Sequence, residues 1–178
     1  AHCHLNNHLF KNDPFLWDQL SVLGFRFFMN SVLMKEDLQY QVTPLKQSFS
    51  AGLHPYLFKQ QDFDIDDLDN LCQTKSIKAI GEIGIDKRFD NLKEQEELLI
   101  EQLLLAKKYH LPVVFHCVKS YDQLSSLCKT YYPDLFGYIH GFNATIDQIS
   151  LFKDLNIVFS INYKFLNKKN ALLIAEYL

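Results

Sequence analysis

The sequence predicts an α/β protein built on a parallel sheet of about seven βα units, and three observations lead there. Apolar runs of strand length alternate with stretches of helical periodicity along the whole chain. No Asn-Gly or Asp-Gly hairpin signal separates those runs, so crossover helices must connect parallel strands. Residue types that bind divalent cations recur where the apolar runs end, and in a parallel barrel those ends converge on one face.

The first strand is His2-Cys3-His4-Leu5. Residues at i and i+2 on a strand share a face, so both imidazoles could reach one cation while Cys3 points away, the alternative being a frayed terminus with exposed histidines. Asp13-Pro14 reads as a helix start, and Gly24 ends that helix after Leu23. Phe25 to Met29 is a second strand, Lys35 to Tyr40 a short helical stretch, and Ser48 to Gly52 a third strand that opens into Leu53-His54-Pro55. The acidic run from Asp62 to Asp69 lacks the glycine and terminal glutamate of a calcium loop, and is expected to open a surface helix ending near Cys72.

Ile77 to Ile85 is the fourth strand, carrying Glu82 between Gly81 and the adjacent Ile83-Gly84. Leu92 to His110 is the longest helix. Its core face is written by Leu98, Gln102, Leu105 and Tyr109, with Leu99, Leu103 and Ala106 on the adjoining stripe. Val113 to His116 is the fifth strand, and Ser120 with Gln123 has capping-box spacing for the next helix. Gly137 to His140 is the sixth strand, Thr145 with Gln148 repeats the capping-box spacing, and Ile157 to Ile161 is the seventh strand. A last helix capped by Asn167 follows.

At 48% hydrophobic and 22% charged, the 178 residues are expected to form a single globular domain, residues 1–178, with a sizeable core. No apolar run is long enough to span a membrane, and no secretory leader pattern stands at the start. Four cysteines without a Cys-x-x-Cys spacing suit a reducing, cytoplasmic compartment. A net charge of −3 argues against a broadly basic nucleic-acid surface, yet bound metal and a few local cations suffice to hold a phosphate.

The candidate site residues are His2, His4, His54, Glu82, His116 and His140, at the ends of the first, third, fourth, fifth and sixth strands. Cys117 alternates away from His116 and is expected to pack in the core. Lys87, Arg88 and Lys119 follow site-bearing strands and are either solvated cations or phosphate contacts.

Five segments taken in order resemble the TatD family of metal-dependent deoxyribonucleases, which belongs to the amidohydrolase-like TIM barrels. They are Ala1-His2-Cys3-His4-Leu5, Gly52-Leu53-His54-Pro55, Gly81-Glu82-Ile83-Gly84-Ile85-Asp86, Leu111-Pro112-Val113-Val114-Phe115-His116 and His140-Gly141-Phe142. The resemblance implies a TIM (β/α)8-type barrel and two divalent metal ions, whether zinc, manganese or magnesium. His2 and His4 would bind one ion, Glu82 would bridge the two, and His116 and His140 would complete the second. Glu82 is also the catalytic candidate. His54 would contact substrate phosphate or make a loop hydrogen bond, and Asp86 would orient a histidine or anchor its loop.

The implied function is hydrolysis of DNA phosphodiester bonds by a two-metal-activated water, with trimming from an end as one form of it, DNA as the partner, no membrane and no obligate protein partner. The alternatives are hydrolysis of a different ester or amide, or metal binding without catalysis. The family's eighth strand and its aspartate have no counterpart up to Leu178, so the barrel is expected to be incomplete at its C-terminal end.

Overall fold

A computed structural model of the chain describes residues 2–3, 16–24, 27–39, 46–143 and 145–161. Seven strands form one sheet in sequential order: β1 (His2–Cys3), β2 (Phe27–Val32), β3 (Lys46–Ala51), β4 (Ala79–Asp86), β5 (Val113–Val118), β6 (Phe136–Phe142) and β7 (Asn156–Ile161). Every neighbouring pair is parallel. The helices between them are α1 (Leu16–Val22), α2 (Ile65–Gln73), α3 (Leu92–Tyr109), α4 (Tyr121–Tyr131) and α5 (Ile146–Ser150), with a 3-10 turn at Lys35–Gln39. Among the described residues, this is seven of the eight strands of a (β/α)8 barrel, in barrel order.

β4 is buried along its whole length, as a strand covered on both faces must be. Helix α3 packs on it. Of the two stripes anticipated on α3, Leu99, Leu103 and Ala106 are fully buried. Each buried leucine contributes about 1.5–3 kcal/mol. Helix α2 begins where its acidic run predicts: the Asp64 carboxylate accepts from the Asp66 and Asp67 amides, and the Asp67 side chain accepts from the Asp64 amide.

Several element limits differ from the sequence expectation for identifiable reasons. β2 runs on to Val32, beyond the aromatic run, because Asn30 and Ser31 pair in register with Phe49 and Ser50 of β3 although their side chains are polar. The Thr145–Gln148 capping box forms. The Ser120–Gln123 box does not: Ser120 Oγ donates instead to the Ile85 carbonyl at 2.8 Å, tying α4 to β4, and Gln123 Nε2 donates to Glu96 at 2.6 Å. A buried carbonyl elsewhere in the fold outbid the local cap. The helix expected after Asn167 lies outside the described residues. Among the described residues no helix is long and apolar enough to cross a membrane.

Candidate metal centre

Glu82 stands on β4 with its carboxylate 3% exposed. Taking an ionised carboxylate out of water is costly, so such a group needs hydrogen bonds or cations around it. Its Oε2 lies 3.8 Å from His54 Nε2, and its Oε1 lies 3.8 Å from His116 Nδ1. One ligand atom from each of the three residues lies within 4.8 Å of the others.

The other ring nitrogen decides what each histidine offers. His116 Nε2 is 2.9 Å from Asp86 Oδ2, so it donates there and leaves Nδ1 turned toward Glu82. Burial works against the cationic form of His116, but hydrogen bonds to Glu82 and Asp86 outweigh it and raise the pKa. Burial likewise pushes Asp86 up, yet hydrogen bonds from Arg88 and His116 prevail and hold its carboxyl at about 2. Arg88 Nε donates to Asp86 Oδ1 at 2.8 Å, and Nη2 donates to Oδ2. Asp86 thus does both things anticipated of it, orienting a histidine and anchoring its loop. His54 differs: its Nδ1 accepts the Tyr56 amide at 3.5 Å, a long contact.

Three glutamines hold these groups in place. Gln61 accepts the His54 amide at 2.7 Å and donates to the Leu33 and Gly52 carbonyls. Gln102 bonds both the amide and the carbonyl of Leu53, at 2.6 and 3.1 Å. Gln95 does the same for Asp86, at 2.7 and 3.3 Å. Gln95 and Gln102 are each 1% exposed, so losing either leaves buried backbone groups unsatisfied, at about 1–3 kcal/mol each. The sequence signal was an amide inside an apolar helical stripe. Gln102 was read there as core, and its link to the loop 49 residues away was not legible.

His140 lies on β6, half-buried. The β5–β6 register pairs Val114 with Tyr138 and Phe115 with Ile139, so His140 follows the last residue of β6 paired with β5. Its ring nitrogens do not join the 4.8 Å group. His2 pairs with Met29 through the backbone, and His4 lies outside the described residues. Lys87 Nζ approaches Asp122 at 3.6 Å, and Lys119 is exposed. Cys117 is buried with Sγ 3.4 Å from Ser120 Oγ, on the side away from His116.

A buried carboxylate facing an imidazole nitrogen whose opposite nitrogen is fixed by a second carboxylate suits a divalent cation. Comparison with known proteins decides the family: the model described as TatD related DNase matches residues 1–177. The chain belongs to the TatD-related DNase family. It is 37% identical over 111 residues to the uncharacterized metal-dependent hydrolase YjjV of Escherichia coli (strain K12), covering 60% of this chain and 43% of that protein. It is 30% identical over 116 residues to the 3'-5' ssDNA/RNA exonuclease TatD of Rahnella sp. (strain Y9602), covering 63% and 44%. The chain therefore spans less than half the length of either relative. The crystal structure of the TatD homologue YjjV superimposes with a TM-score of 0.75 at 28% identity, covering 89% of this chain and 65% of that one. A TatD-like protein from Archaeoglobus fulgidus shares the fold, with a TM-score of 0.67 at 17% identity, covering 98% and 79%. The TatD family assignment agrees with the TIM-type barrel expected from the five sequence segments.

Proposed function

We propose that this TatD-family chain carries most of the active centre of a divalent-metal-dependent hydrolase that cleaves DNA phosphodiester bonds, trimming single strands from an end. The observation that carries the reading is the His54–Glu82–His116 group, with Asp86 holding His116 from behind. The printed activity of the Rahnella relative, a 3'-5' ssDNA/RNA exonuclease, supports the substrate class. Two divalent ions are the reading for the cofactor, and His2, His4, Glu82, His116 and His140 would hold them. Bound divalent cations supply Lewis acidity toward phosphate and a water acidic enough to act near neutral pH.

The chain's own residues do the rest. Glu82 concentrates negative charge where cations must sit. Asp86 keeps His116 Nδ1 turned inward, and Gln95 and Gln102 keep the two loops from drifting. His54 presents Nε2 3.8 Å from Glu82 Oε2, beside the place where a phosphate oxygen would sit. The reading places the activity in one barrel domain and in the cytoplasm, in keeping with the free thiols at Cys72, Cys117 and Cys128.

The test is nucleotide release from end-labelled single-stranded DNA by the purified protein with magnesium, manganese or zinc, run beside Glu82→Ala with metal content measured in both. Glu82→Ala should lose metal and lose more activity than the about 10–100-fold typical of removing an orienting partner. Unchanged metal stoichiometry in the variant, or metal-independent release by the wild type, would overturn the reading.

A further inference from the structure

We propose that the stacked rings of Tyr56 and Phe89 are a platform for a nucleobase of the single-stranded substrate, with Phe89 as the positioning residue. The inference rests on the nucleic-acid reading above and names what holds the strand at that centre. Among the described residues, Phe89 is the exposed large hydrophobic that sits in a loop following a site-bearing strand, and it is 40% exposed. The others stand within helices or strands, or at the end of α1.

Its placement is specific. The Phe89 and Tyr56 rings stack with centroids 4.8 Å apart and planes 13° from parallel. Tyr56 in turn presents edge contacts to His54 at 4.4 Å and His116 at 5.6 Å. A continuous file of rings therefore runs from the candidate metal centre to solvent. Burial explains Tyr56, which is half-covered; it leaves the exposed part of Phe89 without an apolar partner to account for it.

The turn bearing Phe89 is tied to the same carboxylate that orients His116. Asp86 Oδ1 accepts the Arg88 amide at 3.1 Å, and the Asp86 carbonyl accepts the Phe89 amide at 3.2 Å. The Arg88 guanidinium, locked on Asp86, lies 6.0 Å from the Phe89 ring. Lys119 follows β5 on the same face and is exposed, as a phosphate contact must be. A flat ring at the edge of a hydrolytic centre, with the Arg88 guanidinium beside it, is the arrangement that grips single strands without reading their sequence, because every base has a π-face.

The experiment uses the full protein with its activating metal and measures KM and kcat on an oligothymidylate and on the same strand with its terminal nucleotides abasic. Phe89→Ala and Phe89→Leu should each raise KM on oligothymidylate by about 5- to 150-fold. Both should keep kcat and metal content, leave KM on the abasic strand unchanged, and be rescued by Phe89→Trp. If the wild type degrades DNA but the variants match it, or if they weaken both strands alike, lose metal or lose kcat, the platform is wrong while the nuclease reading stands. A wild type that cuts neither strand with any metal overturns both.

Discussion

Replacing Asp86 by asparagine removes the charge that joins Arg88 to His116 while keeping the shape of the side chain. The carboxyl is fully buried and held at about 2, against an ordinary value of 3.8. That difference corresponds to about 2.5 kcal/mol of stability. Because the folded value is depressed, the contribution is complete above 3.8 and is lost as pH falls toward 2. His116 has a raised pKa, so its cationic contribution is present below 6.5 and fades as pH rises through the folded value. The two windows overlap at about pH 5.5, where both partners are charged. Urea unfolding of metal-free wild type and Asp86→Asn should therefore differ by about 2–3 kcal/mol there, and the gap should narrow in stronger acid. A gap below about 0.5 kcal/mol at that pH, the size expected of an ordinary surface change, would refute the argument. So would a gap that stays constant into acid.

Two further outcomes follow from the packing around the centre. Gly84 has φ of +148°, and a Cβ there would run into the His116 carbonyl oxygen, so Gly84→Ala should cost more than about 1 kcal/mol and weaken metal binding by moving β5; urea unfolding and a metal titration check both, and an alanine variant as stable as wild type would show the strands have room to part. Burial pushes the Cys117 thiol up to about 11 and the Cys72 thiol up to about 12, so a thiol-directed reagent at about pH 8 should label neither until the protein unfolds. Labelling of Cys117 in the native protein at a free-thiol rate would contradict its place in the core.

The βα alternation and most element positions were legible because each depends on local pattern: a buried parallel strand writes a continuous apolar run, and a core-facing helix writes a 3.6-residue stripe. Thr145 at the start of α5 acts as a cap as its sequence spacing implies, since a cap needs partners only three residues away, and Asp64 caps α2 within the acidic run that marks its start. Ser120 failed the same rule because its hydroxyl found the Ile85 carbonyl, 35 positions distant.

Residue types able to bind a divalent cation stand at strand ends in the sequence, and the five segments carry the family. Tertiary structure alone decided which of them meet and in what state. It brought one potential ligand atom each of His54, Glu82 and His116 within 4.8 Å of the others and turned His116 Nδ1 toward Glu82 by engaging Nε2 with Asp86. It also recruited Gln95 and Gln102 as loop clamps, and set Phe89 on Tyr56 across two loops. A side chain's chemistry is written at its own position, but its ring tautomer, its ionisation and its neighbours belong to residues tens of positions away, and only folding brings those together.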